Sequence, residues 1–174
     1  MIDLLQQISK EAIALNPDFF SDEEKEVKWI GRNPATEESI IQTQERLGVK
    51  LPDDVVAFYK ISDGTSVILN QTFGAFLPIE QIDWLKNADP YLIECYAEMG
   101  EAFTNDLKNS IIIAGAQYPH SVLLIHPYGE HKAWRYWEFA TYNPGEHPFD
   151  GLKDYLSRLA DFLKEQNINK AETE

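Results

Sequence analysis

Residues 36–64, TEESIIQTQERLGVKLPDDVVAFYKISDG, decide how the rest of the chain is read. Thr36 is placed to cap a helix, because its hydroxyl accepts a backbone N–H that has no partner inside the helix. Glu37 and Glu38 put negative charge in the positive first turn. Ile40, Gln44 and Leu47 recur at i, i+4 and i+7, with Ile41 alongside, and predict one buried face. Gly48 supplies a left-handed stop. Pro52 then suits a first helical turn, again followed by acids, Asp53 and Asp54. Val55, Val56, Phe58 and Tyr59 give the second helix a broad apolar face, and Gly64 is expected to end it after Asp63. Two helices joined so tightly need an apolar layer to lie on.

Upstream, Leu5, Ile8, Ala12 and Leu15 predict an amphipathic helix over residues 2–15, stopped by Asn16 and Pro17. Ser21–Lys28 is charge-rich and reads as a solvated loop or helical turn, with Trp29 as the anchor of this N-terminal arm. Downstream, Thr65–Leu69 and Phe73–Leu77 read as short strands around a turn at Asn70-Gln71. Ile79–Lys86 suits a helical turn carrying Trp84. Asp89 and Pro90 open a helix whose buried stripe is expected at Leu92, Tyr96, Met99 and Phe103, with Cys95 as a small buried thiol. Ser110–Gly115 is apolar on both faces and predicts a central strand. Val122–Ile125 and Ala133–Phe139 predict a hairpin turning at residues 126–130. In its second strand Ala133, Arg135, Trp137 and Phe139 share one face, Trp134, Tyr136 and Glu138 the other. Tyr142–Asp150 reads as a Pro/Gly loop. Leu152, Tyr155, Leu156, Leu159, Phe162 and Leu163 predict an inward-facing last helix from Gly151 to about Gln166, with a polar, frayed tail beyond Asn167.

The order of these elements, with LGVKLPDD between two helices and the second ending in DG, resembles the SUKH superfamily of Smi/Knr-type domains. That superfamily includes bacterial toxin-immunity proteins and fungal cell-wall-assembly regulators. The resemblance is strongest from Pro34 to Gly64 and continues through Asn109–Gly115 and Trp134–Leu163. Both the pattern and the resemblance imply a single α+β domain. Its central, mostly antiparallel sheet is expected to hold about five or six strands, packed with four to five helices. Residues 1–33 form an N-terminal helix and arm, 34–166 the core, and 167–174 the tail.

Composition narrows the function. The 174 residues are 44% hydrophobic and 12% aromatic, which suits a folded domain with a core of its own. A single cysteine excludes an internal disulfide and suits a reducing compartment. The N-terminus has no signal-peptide pattern, and no run approaches the roughly 20 apolar residues of a membrane span. The expectation is a soluble, cytoplasmic protein. A net charge of −14 repels phosphate backbones and anionic membranes, so no direct nucleic acid and no membrane partner is expected, while a basic protein is attracted.

Signatures of catalysis are missing. There is no GxSxG elbow, no glycine-rich phosphate loop and no CxxC or helical HxxxH pair. His126 and His131, with Glu130, flank a turn and are the nearest approach to metal-ligand spacing; no catalytic residue, metal or cofactor is assigned. The paired acids at 37–38 and 53–54 are explained by helix starts.

One stretch strains a local rule. Glu80, Asp83, Asp89, Glu94, Glu98, Glu101 and Asp106 face a single base, Lys86. On one helix Glu94, Glu98 and Glu101 stand at i, i+4 and i+7, where like charges cost about 0.2–0.5 kcal/mol per pair. A solvated helix face absorbs that cost; a docking stripe for a basic protein uses it. Tyr118, Trp134 and Tyr136, with Trp137, form a second candidate partner surface, against the alternative of core packing. The leading expectation is a non-enzymatic protein-binding domain, an immunity protein that occludes a cognate basic toxin, such as a nuclease. The alternatives are an intracellular scaffold or regulatory interaction domain and a small-ligand sensor.

Overall fold

The computed structural model describes residues 1–70, 72–140 and 143–173, with the side chains of 143–146 and 173 outside that description. Five strands form one antiparallel sheet in sequential order: β1 (Asp83–Trp84), β2 (Ser110–Ala114), β3 (His120–Ile125), β4 (Arg135–Ala140) and β5 (Asn143–Phe149). Among the described residues there are eight α-helices. They are α1 (Ile2–Leu15), α2 (Asp22–Val27), α3 (Glu37–Leu47), α4 (Asp53–Tyr59), α5 (Leu85–Ala88), α6 (Pro90–Cys95), α7 (Glu101–Lys108) and α8 (Leu152–Thr173). This is an α+β fold, with more and shorter helices than the sequence suggested.

β2 is buried at every position, as a strand covered on two sides must be. Its alternate residues enter two separate cores. Ile111 and Ile113 join Val122, Leu124 and Tyr136 beneath α1, α3, α4 and α8. Ile112 joins Leu123, Ile125, Trp137 and Phe139 beneath α5, α6 and α7. The predicted alternation along β4 therefore holds. The acidic stretch forms the smaller of the two covers.

The helical hairpin forms as its punctuation requires. Thr36 Oγ1 accepts the Ser39 N–H at 3.0 Å, and Gly48 ends α3 with φ of 70°. The buried stripe of α3 is Ile40, Thr43 and Leu47, whereas Ile41 is 48% exposed. Thr43 is tolerated inside because its hydroxyl donates to the Ile79 carbonyl. α4 stops at Tyr59, short of the expected Gly64, because the N–H groups of both Ile61 and Ser62 turn back to the Phe58 carbonyl at 2.9 Å. Pro52 occupies the position before its first turn, without a side-chain cap.

Several boundaries differ from expectation for identifiable reasons. Residues 65–69 and 73–77 make isolated bridges in place of strands: Gly31 with Thr65, Leu69 with Phe73, Phe73 with His120, and Phe76 with Ala114. There the Phe76 N–H donates to the Thr65 side chain, so a hydroxyl takes a place that a ladder carbonyl would fill. The turn predicted at Asn70-Gln71 includes a residue outside those described, as does the start of the loop predicted from Tyr142. Residues 143–149 are a strand, not a loop. Pro148 lies opposite Trp137 on the edge strand, where a missing N–H leaves no ladder bond unmade. α8 continues to Thr173, and the tail from 167 is tied down: Asn167 Nδ2 donates to the Glu11 carbonyl at 2.9 Å, and Lys170 Nζ to the Leu15 carbonyl at 3.2 Å.

Candidate functional site

Glu94, Glu98 and Glu101 are all exposed, but they do not share one helix. Glu94 belongs to α6, Glu98 to a 3-10 turn at Ala97–Met99, and Glu101 opens α7 after Gly100, whose φ is 109°. The break follows from what the segment must bury. Tyr96 and Phe103, seven residues apart, would stand about 10 Å apart along a straight helix. Here their rings lie 6.3 Å apart, with Phe103 stacked on Trp137 and Tyr96 edge-on to Phe139. Met99 turns outward as a result and is 52% exposed, not part of the buried stripe expected for it. Tyr91 is 73% exposed, and Cys95 is exposed where a buried thiol was expected. Between Lys86 and Lys108 no base interrupts this surface.

Three of the four remaining acids of the stretch are engaged, while Glu80 is exposed. Asp83 lies 3.6 Å from Arg46. Asp89 caps α6, its Oδ1 accepting the Leu92 N–H at 3.0 Å. Asp106 is buried: it pairs with Arg135 and accepts the Tyr128 hydroxyl, and the Arg135 guanidinium sits 5.7 Å from the rings of both Tyr128 and Trp137. Asp106 therefore ties α7 to the base of β4 and adds nothing to the exterior field.

The aromatic candidates separate. Tyr136 is buried, and its hydroxyl donates to Asp54 Oδ1 at 2.6 Å. That burial, with the Asp54 carboxylate beside it, raises the hydroxyl's pKa well above the usual tyrosine value. Asp54 also accepts the Leu152 N–H at 2.8 Å, so one carboxylate joins α4, β4 and α8. Tyr136 thus belongs to the interior and not to an accessible surface. Trp134 is half-buried, edge-on to His126 at 5.0 Å. His126 in turn faces Trp84 at 5.9 Å, while His131 lies against Tyr128, so the two turn histidines do not meet. Among the described residues no three His, Cys, Asp or Glu side chains converge on a metal position, and no helix is long and apolar enough to cross a membrane.

Residues 34–165 match the profile of the SMI1 / KNR4 family (SUKH-1). The chain belongs to that family. The match spans the helical hairpin, the sheet and most of α8, and excludes α1 and α2. No curated protein matches the chain.

In this SUKH-1 chain a concavity lies at the margin of the acidic cover. It is a cleft of about 530 Å3, lined by Ala88 at the end of α5, Asp89 and Leu92 from the start of α6, Ile112 from β2, Ala116–Pro119 from the β2–β3 connection and Ser121 from β3. Tyr118 is half-buried at its wall. Among its lining residues the sequence assigns Tyr118 to a partner surface, whereas Asp89 reads as a helix start within the acidic stretch and Leu92 as part of a buried stripe. Asp89 and Tyr118 are 29 positions apart, and they reach one site because α5 packs on β2, whose end leads into Ala116–Pro119.

Proposed function

We propose that this protein is a non-enzymatic binding domain that neutralises a basic protein toxin by covering its working surface, with the α6–α7 cover as the docking face. The observation that carries the reading is the exterior of that cover. Glu94, Glu98 and Glu101 are exposed on the same 90–101 segment as the exposed Tyr91 and Met99, and no base lies between Lys86 and Lys108. Exposed aromatic and Met side chains supply contact area at interface centres, and a surface of one charge selects and steers a partner of the other. Membership of SUKH-1 supports an interaction or immunity role, and the resemblance to toxin-immunity proteins supplies the class of partner. Tyr118, beside α6, fits the rim of such an interface, whereas Trp134 packs against the larger core on the other face of the sheet.

Co-expression with each toxin-like protein encoded beside the gene tests the reading. One of them is expected to lose its toxicity and to form a complex at low salt that weakens as salt rises. In that pair Tyr91→Ala and Glu98→Gln are expected to weaken binding while leaving the fold intact. Absence of both rescue and complex for every neighbouring candidate overturns it.

A further inference from the structure

The cleft beside the acidic cover has a composition that selects one kind of guest. Leu92, Ile112, Ala116 and Pro119 give apolar walls, and Asp89, Gln117, Tyr118 and Ser121 give the polar ones. Its one charged side chain is an acid. The volume of about 530 Å3 lies within the roughly 300–1000 Å3 typical of pockets that take a defined guest. The walls are held before any guest arrives. The Gly115 N–H donates to the Ala75 carbonyl at 3.0 Å, the Tyr118 N–H to the Gly115 carbonyl at 2.9 Å, and Ser121 Oγ to that same carbonyl at 3.1 Å. Gln117 has φ of 67°, a conformation that a non-glycine residue adopts only when its surroundings enforce it. The Tyr118 ring lies so close over Gly74 that a Cβ there would stand 2.7 Å from it, which fixes the ring's position.

We propose that this cleft receives an arginine side chain from the protein partner. The inference rests on the reading above that the partner is a basic protein. An arginine stem is apolar and would lie along Leu92, Ile112 and Pro119, while the planar guanidinium is suited both to stacking on an aromatic face and to forked bonding with a carboxylate. Tyr118 provides the ring and Asp89 the carboxylate. Asp89 Oδ1 already accepts the Leu92 N–H, which holds the carboxylate in place and leaves its second oxygen to the guest. The cleft adjoins α6, so an arginine seated there would place the chain that carries it against Glu94 and Tyr91. The acidic cover draws the partner in, and the cleft sets its register.

N-acetyl-L-argininamide is the probe, titrated into the full-length, isotope-labelled protein and followed by NMR, with the uncharged citrulline analogue as control. Saturable shifts are expected at Asp89, Leu92, Ala116, Gln117 and Tyr118 with the arginine compound and not with the citrulline one. Asp89→Asn keeps the helix cap, since asparagine caps as well as aspartate, and is expected to weaken binding about fivefold. Tyr118→Leu provides a second variant with an apolar wall but no ring, and is expected to weaken it similarly. Shifts spread over Glu94, Glu98 and Glu101, equal response to the citrulline compound, or binding indifferent to both variants would overturn the proposal. Because the probe needs no toxin, its result is independent of the partner reading. A toxin complex unaffected by Asp89→Asn and Tyr118→Leu would remove the cleft and leave the partner standing.

Discussion

Arg135 and Asp106 form an ion pair withdrawn from water, with side chains 21% and 11% exposed. Desolvating two charges offsets much of what their attraction returns, so such a pair adds little net stability over apolar side chains of similar size. Removing one partner is different, because the other charge stays buried without compensation. Arg135→Leu is therefore expected to cost about 3 kcal/mol, near the lower end of the range for buried pairs because the arginine keeps some contact with water. The double replacement Arg135→Leu with Asp106→Leu is expected to recover most of that loss in urea unfolding. If the two losses simply add, the pair is not coupled and α7 is held by its apolar face alone. This pair is not legible from local pattern: Asp106 reads as one acid among seven, and its burial depends on a base 29 residues further on. The alternation along β4 was legible, because Trp137 and Phe139 on one face and Tyr136 on the other need only a period of two.

At the scale of elements, punctuation inside the chain is what the sequence displays best. Thr36, Gly48 and the acid pairs set the hairpin correctly because capping is local chemistry. The breaking of the 90–108 segment was less legible, since Gly100 only permits a break and the demand for it comes from Trp137 and Phe139 on another strand. α2 carries a prediction of its own. Ser21 and Glu24 form a reciprocal capping box, and the Ser66 hydroxyl also donates to the Glu24 carboxylate. Burial works against the Glu24 charge, but the hydrogen bonds from Ser66 and Ser21 outweigh it and hold the carboxyl below the usual glutamate range. A depressed carboxyl contributes stability that is fully present above the unfolded value of about 4.3 and is lost as pH falls through the folded one. Amide exchange at Lys25 and Trp29, whose N–H groups donate within this turn, is thus expected to accelerate below about pH 4 relative to α8. Glu24→Gln should remove most of that difference in pH dependence; an unchanged profile would assign it to some other carboxylate.

Across the whole molecule, charge is the property both most legible and least local. A count of residues gives −14, and the exposed positions of Glu94, Glu98 and Glu101 agree with a charged exterior. The cleft was not legible, because Asp89, Ile112 and Tyr118 become neighbours only through the sheet. Excess charge of one sign also acts on the fold itself, by self-repulsion that grows as screening weakens. The visible ion pairs do not balance it: among the described residues Lys25 pairs with Asp22, Arg46 with Asp83, Lys60 with Glu37, Arg158 with Asp154 and Arg135 with Asp106, against 29 acids in the chain. Salt weakens pairs and repulsions alike, but the exposed pairs are individually worth little, so the repulsion relieved exceeds the attraction lost. Raising ionic strength from about 0.01 to 0.15 M shortens the screening length from about 30 to 8 Å. Over that range the thermal midpoint is expected to rise by about 2–4 °C, the shift that about 1 kcal/mol produces in a chain of this size. A variant with Glu94, Glu98 and Glu101 all replaced by Gln carries three charges fewer and should start from a higher midpoint and gain less from salt. A midpoint that falls with salt would mean that paired charges, and not the unpaired exterior, dominate the electrostatics of this fold.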